Sequence, residues 1–228
     1  MRSVRVCLLF LFIGVLLVGA PLYGQGLSIK MRETGPTGLV TEPTLQTDGS
    51  HARLDMPSLA SQVLYDSESK VLRVVVPLLK MYTEYTAATV QERAAAGLAQ
   101  PAPEPITYKR TGSSKAGDWA CTAYDGFRGP EKVAEICAAE GNAIGLTRAD
   151  LMLVQDAVNM VKAIVPPDII DRIPVYGTVA NQGFAGFPVR RVTFNNGKPE
   201  TTTELVSLKR EPVPPPSFAV PEGFKKNP

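Results

Sequence analysis

The sequence predicts an α+β fold in which an antiparallel sheet carries one long amphipathic helix and one short helix. Three observations lead there. Segments with an apolar residue at every second position recur between Gly, Pro, Asn and Asp clusters, as half-buried strands require. The stretch 147–165 instead repeats its apolar residues with helical period. Proline pairs and triplets punctuate the chain where the helical patterns stop.

The first residues set the compartment. Arg2 and Arg5 precede an apolar run from Val6 to Val18, and small residues (Gly19, Ala20, Gly24) lead into polar sequence. This is the anatomy of a secretory signal peptide over residues 1–24. Cleavage is placed near Gly24 or Gln25, because Pro21 would block a cut after Ala20. Cys7 as a lipid-anchored cysteine is the weaker reading, since the apolar run follows it. No later segment has the roughly 20 apolar residues of a transmembrane helix. The expected location is therefore periplasmic or secreted. Losing Arg2 and Arg5 from the 24 basic residues brings them level with the 22 acidic ones, which gives no electrostatic reason to expect nucleic acid.

Leu27, Ile29 and Met31 alternate with Ser28, Lys30 and Arg32, so the sheet begins at once. Turn chemistry at Gly35-Pro36-Thr37-Gly38 and Asp48-Gly49 separates strand-length segments 39–47 and 51–56. Segments 62–66, 71–76 and 80–85 continue a meander, with a polar turn at 67–70. Residues 89–100 read as a short Ala-rich helix, ended by Pro101, Pro103 and Pro105. Strands are expected again at 106–111, 119–125 and 132–138, with a loop at 112–117. In the long helix, Thr147 and Asp150 have capping-box spacing, and Leu151, Val154, Val158, Val161 and Val165 share a face before Pro166 and Pro167. A last hairpin joins 187–194 to 200–208 through Asn195-Asn196-Gly197. The Pro-rich stretch 212–221 is expected to lie extended over the surface. No internal repeat stands out.

Cys121 and Cys137 flank a turn-like segment centred on Gly129, and across a hairpin they would stand close enough for a disulfide. A buried reduced pair, or a redox or metal role, are the alternatives; no Cys-x-x-Cys is present. His51 is the only histidine, which leaves little for metal binding or a His-assisted nucleophile. Ser67-Glu68-Ser69-Lys70 fits a Ser-x-x-Lys string but falls in a hairpin turn, where that chemistry needs a helix start. Asp168 and Asp171 could share a helix face and hold a cation or act as acid and base; the plainer reading is acidic residues in a first helical turn. No catalytic residue, metal ligand or cofactor is assigned. The aromatic and apolar supply gives the ligand-facing candidates instead: Tyr82, Trp119, Tyr124, Leu151, Val154, Val158 and Phe187.

Two resemblances sharpen this. Gly186-Phe187-Pro188-Val189-Arg190, Phe194-Asn195-Asn196-Gly197-Lys198, Leu205-Val206-Ser207-Leu208-Lys209-Arg210 and Phe218-Ala219-Val220-Pro221-Glu222-Gly223-Phe224-Lys225 resemble the C-terminal signature of an uncharacterised exported bacterial family, domain of unknown function 4412. Trp119-Ala120-Cys121, Tyr124 and Glu135-Ile136-Cys137 match its cysteine hairpin. More distantly, Asp48-Gly49 with Arg53, Leu64-Tyr65-Asp66 and Lys80-Met81-Tyr82 are similar to the N-terminal meander of the LolA/LolB-like periplasmic lipoprotein carriers. That likeness implies a half-open barrel, a curved antiparallel sheet wrapping the long helix over an apolar cavity, with 89–100 and 147–165 as covering helices. The cysteine hairpin, long helix and Pro-rich tail are not part of the carrier pattern. The domain plan is then a leader at 1–24, one half-barrel domain at 25–211 and a Pro-rich extended tail at 212–228. The implied function is non-enzymatic: binding of a lipid acyl chain or hydrophobic peptide, or, alternatively, a structural or interaction module of the cell envelope with a filled core and another envelope protein as partner.

Overall fold

The computed structural model of the 228-residue chain describes residues 25–95, 104–164 and 183–227. The proposed leader, Asp168 and Asp171, and the end of the long helix at Val165 lie outside them.

Among the described residues thirteen strands form one open sheet. In chain order they are β1 (Gln25–Thr34), β2 (Val40–Thr41), β3 (Thr44–Thr47), β4 (His51–Met56), β5 (Ser61–Asp66), β6 (Val71–Val76), β7 (Met81–Tyr85), β8 (Thr107–Ala116), β9 (Trp119–Arg128), β10 (Glu131–Ala139), β11 (Phe187–Asn195), β12 (Lys198–Pro212) and β13 (Lys225–Lys226). Their spatial order is β13-β7-β6-β5-β4-β3-β1-β12-β11-β10-β9-β8, with β2 beside β1. Every pairing is antiparallel except β13 on β7. The helices are α1 (Ala87–Ala95) and α2 (Arg148–Lys162). Among the described residues no helix is long and apolar enough to cross a membrane.

β1 sits centrally, between β3 and β12, which explains why its inward residues Leu27, Ile29 and Met31 are almost fully buried. The meander then follows the period of two: Ala52, Leu54 and Met56 of β4 are buried while His51, Arg53 and Asp55 are half-buried on the other face. The β11–β12 hairpin turns at Asn196 and Gly197, whose φ angles of 51° and 72° are the positive values an Asn-Gly turn supplies.

The structure differs from the sequence reading in several places. First, residues 112–116 are not a loop: β8 runs through them to Ala116, absorbing a register shift between Arg110 and Gly112. β8 is an edge strand, where polar residues such as Ser113, Ser114 and Lys115 are not paired against a buried neighbour and instead discourage edge-to-edge association. Second, α1 begins before Thr89: Thr86 and Thr89 cap each other reciprocally, the Thr86 amide donating to Thr89 Oγ1 (2.8 Å) and the Thr89 amide to Thr86 Oγ1 (3.2 Å).

Third, a repeat is present. β4 and β5 are joined by Pro57–Leu59 and β6 and β7 by Pro77–Leu79, each a single 3-10 turn opened by proline, and each closed by a non-glycine residue in the left-handed region, Ala60 and Lys80. In both, the amide of that residue donates to the proline carbonyl at 3.1 Å. The unit is faint in sequence because only Arg53/Arg73, Pro57/Pro77, Leu59/Leu79 and Tyr65/Tyr85 recur at matching places.

Fourth, the tail is packed. Val213 and Phe218 are buried, residues Pro215–Phe218 make a 3-10 turn, and Lys225–Lys226 pair with Met81 and Tyr82 at the sheet edge. Phe218 stacks on His51 with ring centres 5.5 Å apart, and Arg53 Nη1 donates to the Ser217 carbonyl at 3.1 Å. The prolines keep the tail out of the sheet's interior, but its apolar residues still have a face of the sheet to cover.

Candidate functional site

α2 owes its start to a complete capping box. The Asp150 amide donates to Thr147 Oγ1, and the Asp150 carboxylate accepts from the Thr147 amide at 2.7 Å. From that fixed end the helix lays Leu153, Val154, Val158 and Val161 against the sheet as buried residues. Leu153 is hard to pick out in sequence because its neighbour Leu151 fits the same stripe; Leu151 is half-buried and packs on the core from the side.

The face that receives α2 is set by register. Leu45 pairs with Leu54, Leu54 with Val63, and Ala52 with Tyr65, so these side chains stand together on one side of β3, β4 and β5. Between them and Val154, Ala157, Val158 and Val161 of α2 lies a small cavity. Its free volume is about 20 Å³, room for roughly one water. Tyr65 is the one lining residue with a polar side-chain atom, so a water there would lack the two or more polar partners it needs.

The rim is polar. Lys70, in the turn between β5 and β6, has φ 52° and reaches Asp156 of α2 with its Nζ at 2.9 Å. The hydrogen bond to Asp156, and then Tyr65, raise the Lys70 pKa. Burial raises that of the Tyr65 phenol. The turn beneath Lys70 is rigid: Asp66 accepts from the amides of Glu68 (2.9 Å) and Ser69 (3.2 Å) and from Ser69 Oγ (2.6 Å). The Ser67-to-Lys70 string thus occupies a hairpin turn, with no helix start for a nucleophile.

Of the seven ligand-facing candidates, Val154 and Val158 line this cavity. The others stand elsewhere. Tyr82 is half-buried on β7 beside the edge. Trp119 packs on the core from the start of β9. Tyr124 meets Phe184 with ring centres 5.7 Å apart. Leu151 lies in the first turn of α2 and packs on the core from the side, and Phe187 is a core residue. The sheet residues of the cavity do carry a signal in sequence, since 45, 52, 54, 63 and 65 are the inward positions of consecutive strands. Lys70 and Asp156 carry none, being 86 residues apart.

Cys121 and Cys137 form a disulfide with Cα atoms 5.4 Å apart. The backbone register sets Ala123, not Cys121, opposite Cys137: the hairpin turns on Gly129-Pro130, with Arg128 opposite Glu131, and a shift between Lys132 and Ala134 displaces the pairing by one residue more, so the bridge is diagonal. His51 Nδ1 pairs with Asp48 at 2.9 Å, on the face covered by the tail and away from the cavity. Among the described residues no group of three or more His, Cys, Asp or Glu side chains could hold a metal ion.

Residues 172–224 match the family model described as Domain of unknown function (DUF4412), which overlaps the C-terminal signature quoted from sequence. No curated protein matches the chain. Among solved structures, it is similar to an uncharacterized conserved protein from Thermus thermophilus (TM-score 0.49, 10% identity, covering 90% of this chain and 91% of that one). It is also similar to a LolA superfamily protein from Nitrosomonas europaea (TM-score 0.30, 8% identity, covering 88% and 91%).

Proposed function

We propose that the chain is an exported, non-enzymatic binding protein of the periplasm or cell exterior that takes an apolar chain, a lipid acyl chain or a hydrophobic peptide, between α2 and the face of β3, β4 and β5. The observation that carries this is the hydrocarbon lining of the seam, supplied by nine residues of which only Tyr65 has a polar side-chain atom. The similarity of the meander to the lipoprotein carriers points the same way.

A cavity of about 20 Å³ admits no such chain as it stands, so α2 must lift. Burying eleven methylenes at about 0.8 kcal/mol each yields about 9 kcal/mol. Micromolar affinity needs about 8 kcal/mol, and the work of lifting α2 subtracts from the gain. Binding in the range of tens of micromolar is therefore expected. Delipidated protein titrated into a fluorescent fatty acid should give a saturable signal in that range, and Ala157→Leu, which fills the seam, should abolish it. No binding at tens of micromolar ligand would overturn the proposal.

The small volume favours a second reading, a structural or interaction module whose core is already filled. The same titration separates the two.

A further inference from the structure

The seam has one chemically distinct end, and its groups are those that would read a head group. Tyr65 lines the cavity with its ring and interacts through its hydroxyl with Lys70; Lys70 is ion-paired with Asp156; Asp156 lies between Val154 and Ala157, which line the cavity from the helix side. Hydrocarbon and charge therefore meet at one place on the rim. The pair is half-exposed on both sides, 55% for Lys70 and 47% for Asp156, so it is a weak, screened contact that an incoming anion can displace. It also joins the β5–β6 turn to α2.

We infer that this rim selects single-chain amphiphiles with an anionic head, a carboxylate or a phosphate, and that the head binds by taking the place of Asp156 on Lys70. The inference rests on the binding function proposed above and specifies its ligand class. The head accepts hydrogen bonds from the Lys70 ammonium and the Tyr65 hydroxyl while the chain enters between Tyr65 and Val154. Displacement leaves the Asp156 carboxylate unpaired and removes one tie between α2 and the β5–β6 turn. Recognition of the head thus removes one of the contacts on α2, and burial of the chain supplies the rest of the work of lifting the helix. Lys70 suits this task because the Asp66-bound turn fixes its backbone while its long stem lets the ammonium follow the head. A quaternary ammonium head has no N–H to donate, so it cannot replace the hydrogen bond that Lys70 makes to Asp156.

The test uses the mature full-length chain, delipidated, at neutral pH and below micelle-forming concentrations. A neutral fluorescent probe bound in the seam is displaced by dodecanoate, dodecyl phosphate, dodecanol and dodecyltrimethylammonium. Both anions should bind about 10-fold tighter than the alcohol and the cation. Which anion is the tighter identifies a fatty acid or a phosphate head as the source. Lys70→Gln should shrink the gap between the anions and the alcohol to about 3-fold or less, Lys70→Arg should restore it, and Asp156→Asn should tighten both anions by removing the internal competitor. Circular dichroism of each variant checks that it folds. Equal binding of all four heads, or a gap that survives Lys70→Gln, overturns the inference and leaves chain binding standing. Absence of binding by any of the four overturns both.

Discussion

Arg210 of β12 grips Asp150 in the first turn of α2 across 60 residues of sequence: Nη1 donates to Oδ1 at 3.1 Å, Nη2 donates to Oδ2, and Nη2 also donates to the Gly145 carbonyl at 2.9 Å. The contact ties the capped end of α2 to the strand beside β1, so any lifting of the helix has its fixed point there. Burial works to raise the Asp150 carboxyl, but the hydrogen bonds from Arg210 and Thr147 outweigh it and hold the group below its ordinary range. A carboxyl depressed in the folded state contributes stability that is fully present above its unfolded pKa of about 3.9 and is lost as pH falls through the folded value. Stability should hold level from neutral pH to about pH 5 and decline below about pH 4. Arg210→Met should cost about 2–3 kcal/mol at neutral pH, because it leaves a buried carboxylate without its guanidinium, and should weaken the acid dependence. Urea unfolding at a series of pH values measures both; an unchanged midpoint in the variant would refute the role given to Arg210.

The disulfide closes a loop between residues 16 apart in sequence. In the chain-entropy model a loop of that size is worth about 3 kcal/mol. The double variant Cys121→Ala, Cys137→Ala, and the wild type under reductant, should therefore unfold at lower denaturant by the same amount. Since the cysteines join β9 to β10 and neither lines the α2 seam, the variant should retain whatever apolar ligand binding the wild type shows. A loss of binding without a loss of stability would contradict a structural role.

What could be read in the sequence was what is local. Leu27, Ile29 and Met31 declare a strand by alternation, Thr147 and Asp150 declare a helix start by a three-residue spacing, and Asn196-Gly197 declares a hairpin by backbone chemistry. What escaped depends on position in the assembled sheet. Ser113 and Ser114 look like loop residues because nothing in the chain says they sit on an edge. Phe218 and Ser217 look like surface tail because their partners His51 and Arg53 are more than 160 residues away. Of the nine residues that line the candidate site, the sequence reading named Val154 and Val158 as ligand-facing. Its polar rim, Lys70 with Asp156, exists only once the β5–β6 turn and α2 are brought together.

Gly186, just before β11, has φ +102°, and a Cβ there would lie 2.4 Å from the Ala139 carbonyl oxygen at the end of β10. Two penalties coincide, a backbone conformation L-residues avoid and a collision with backbone that cannot step aside. Gly117 offers the control: its φ is +56°, but a Cβ there meets nothing within 4 Å. Gly117→Ala should cost about 1 kcal/mol and Gly186→Ala more than about 2 kcal/mol, read from thermal unfolding. Equal costs would mean that the close approach to Ala139 is relieved by a shift of the strand.

Phe218 decides whether the tail docks as a unit. Its ring stacks on His51, Ser217 accepts from Arg53, and further along the Lys225 amide donates to the Lys80 carbonyl (3.0 Å) and the Asn227 amide to the Tyr82 carbonyl (2.7 Å). Phe218→Ala should cost about 3 kcal/mol if the site collapses as poorly as buried aromatic sites generally do. β13 is only two residues long and parallel to β7, so its own pairing is too short to persist alone. Removing the aromatic anchor should therefore speed hydrogen exchange at Lys225 and Asn227. If those two amides exchange at the wild-type rate while the variant loses stability, Phe218 is a local core residue and the edge strand is held by its lysines, Lys226 paired with Glu84 at 2.9 Å being the first candidate.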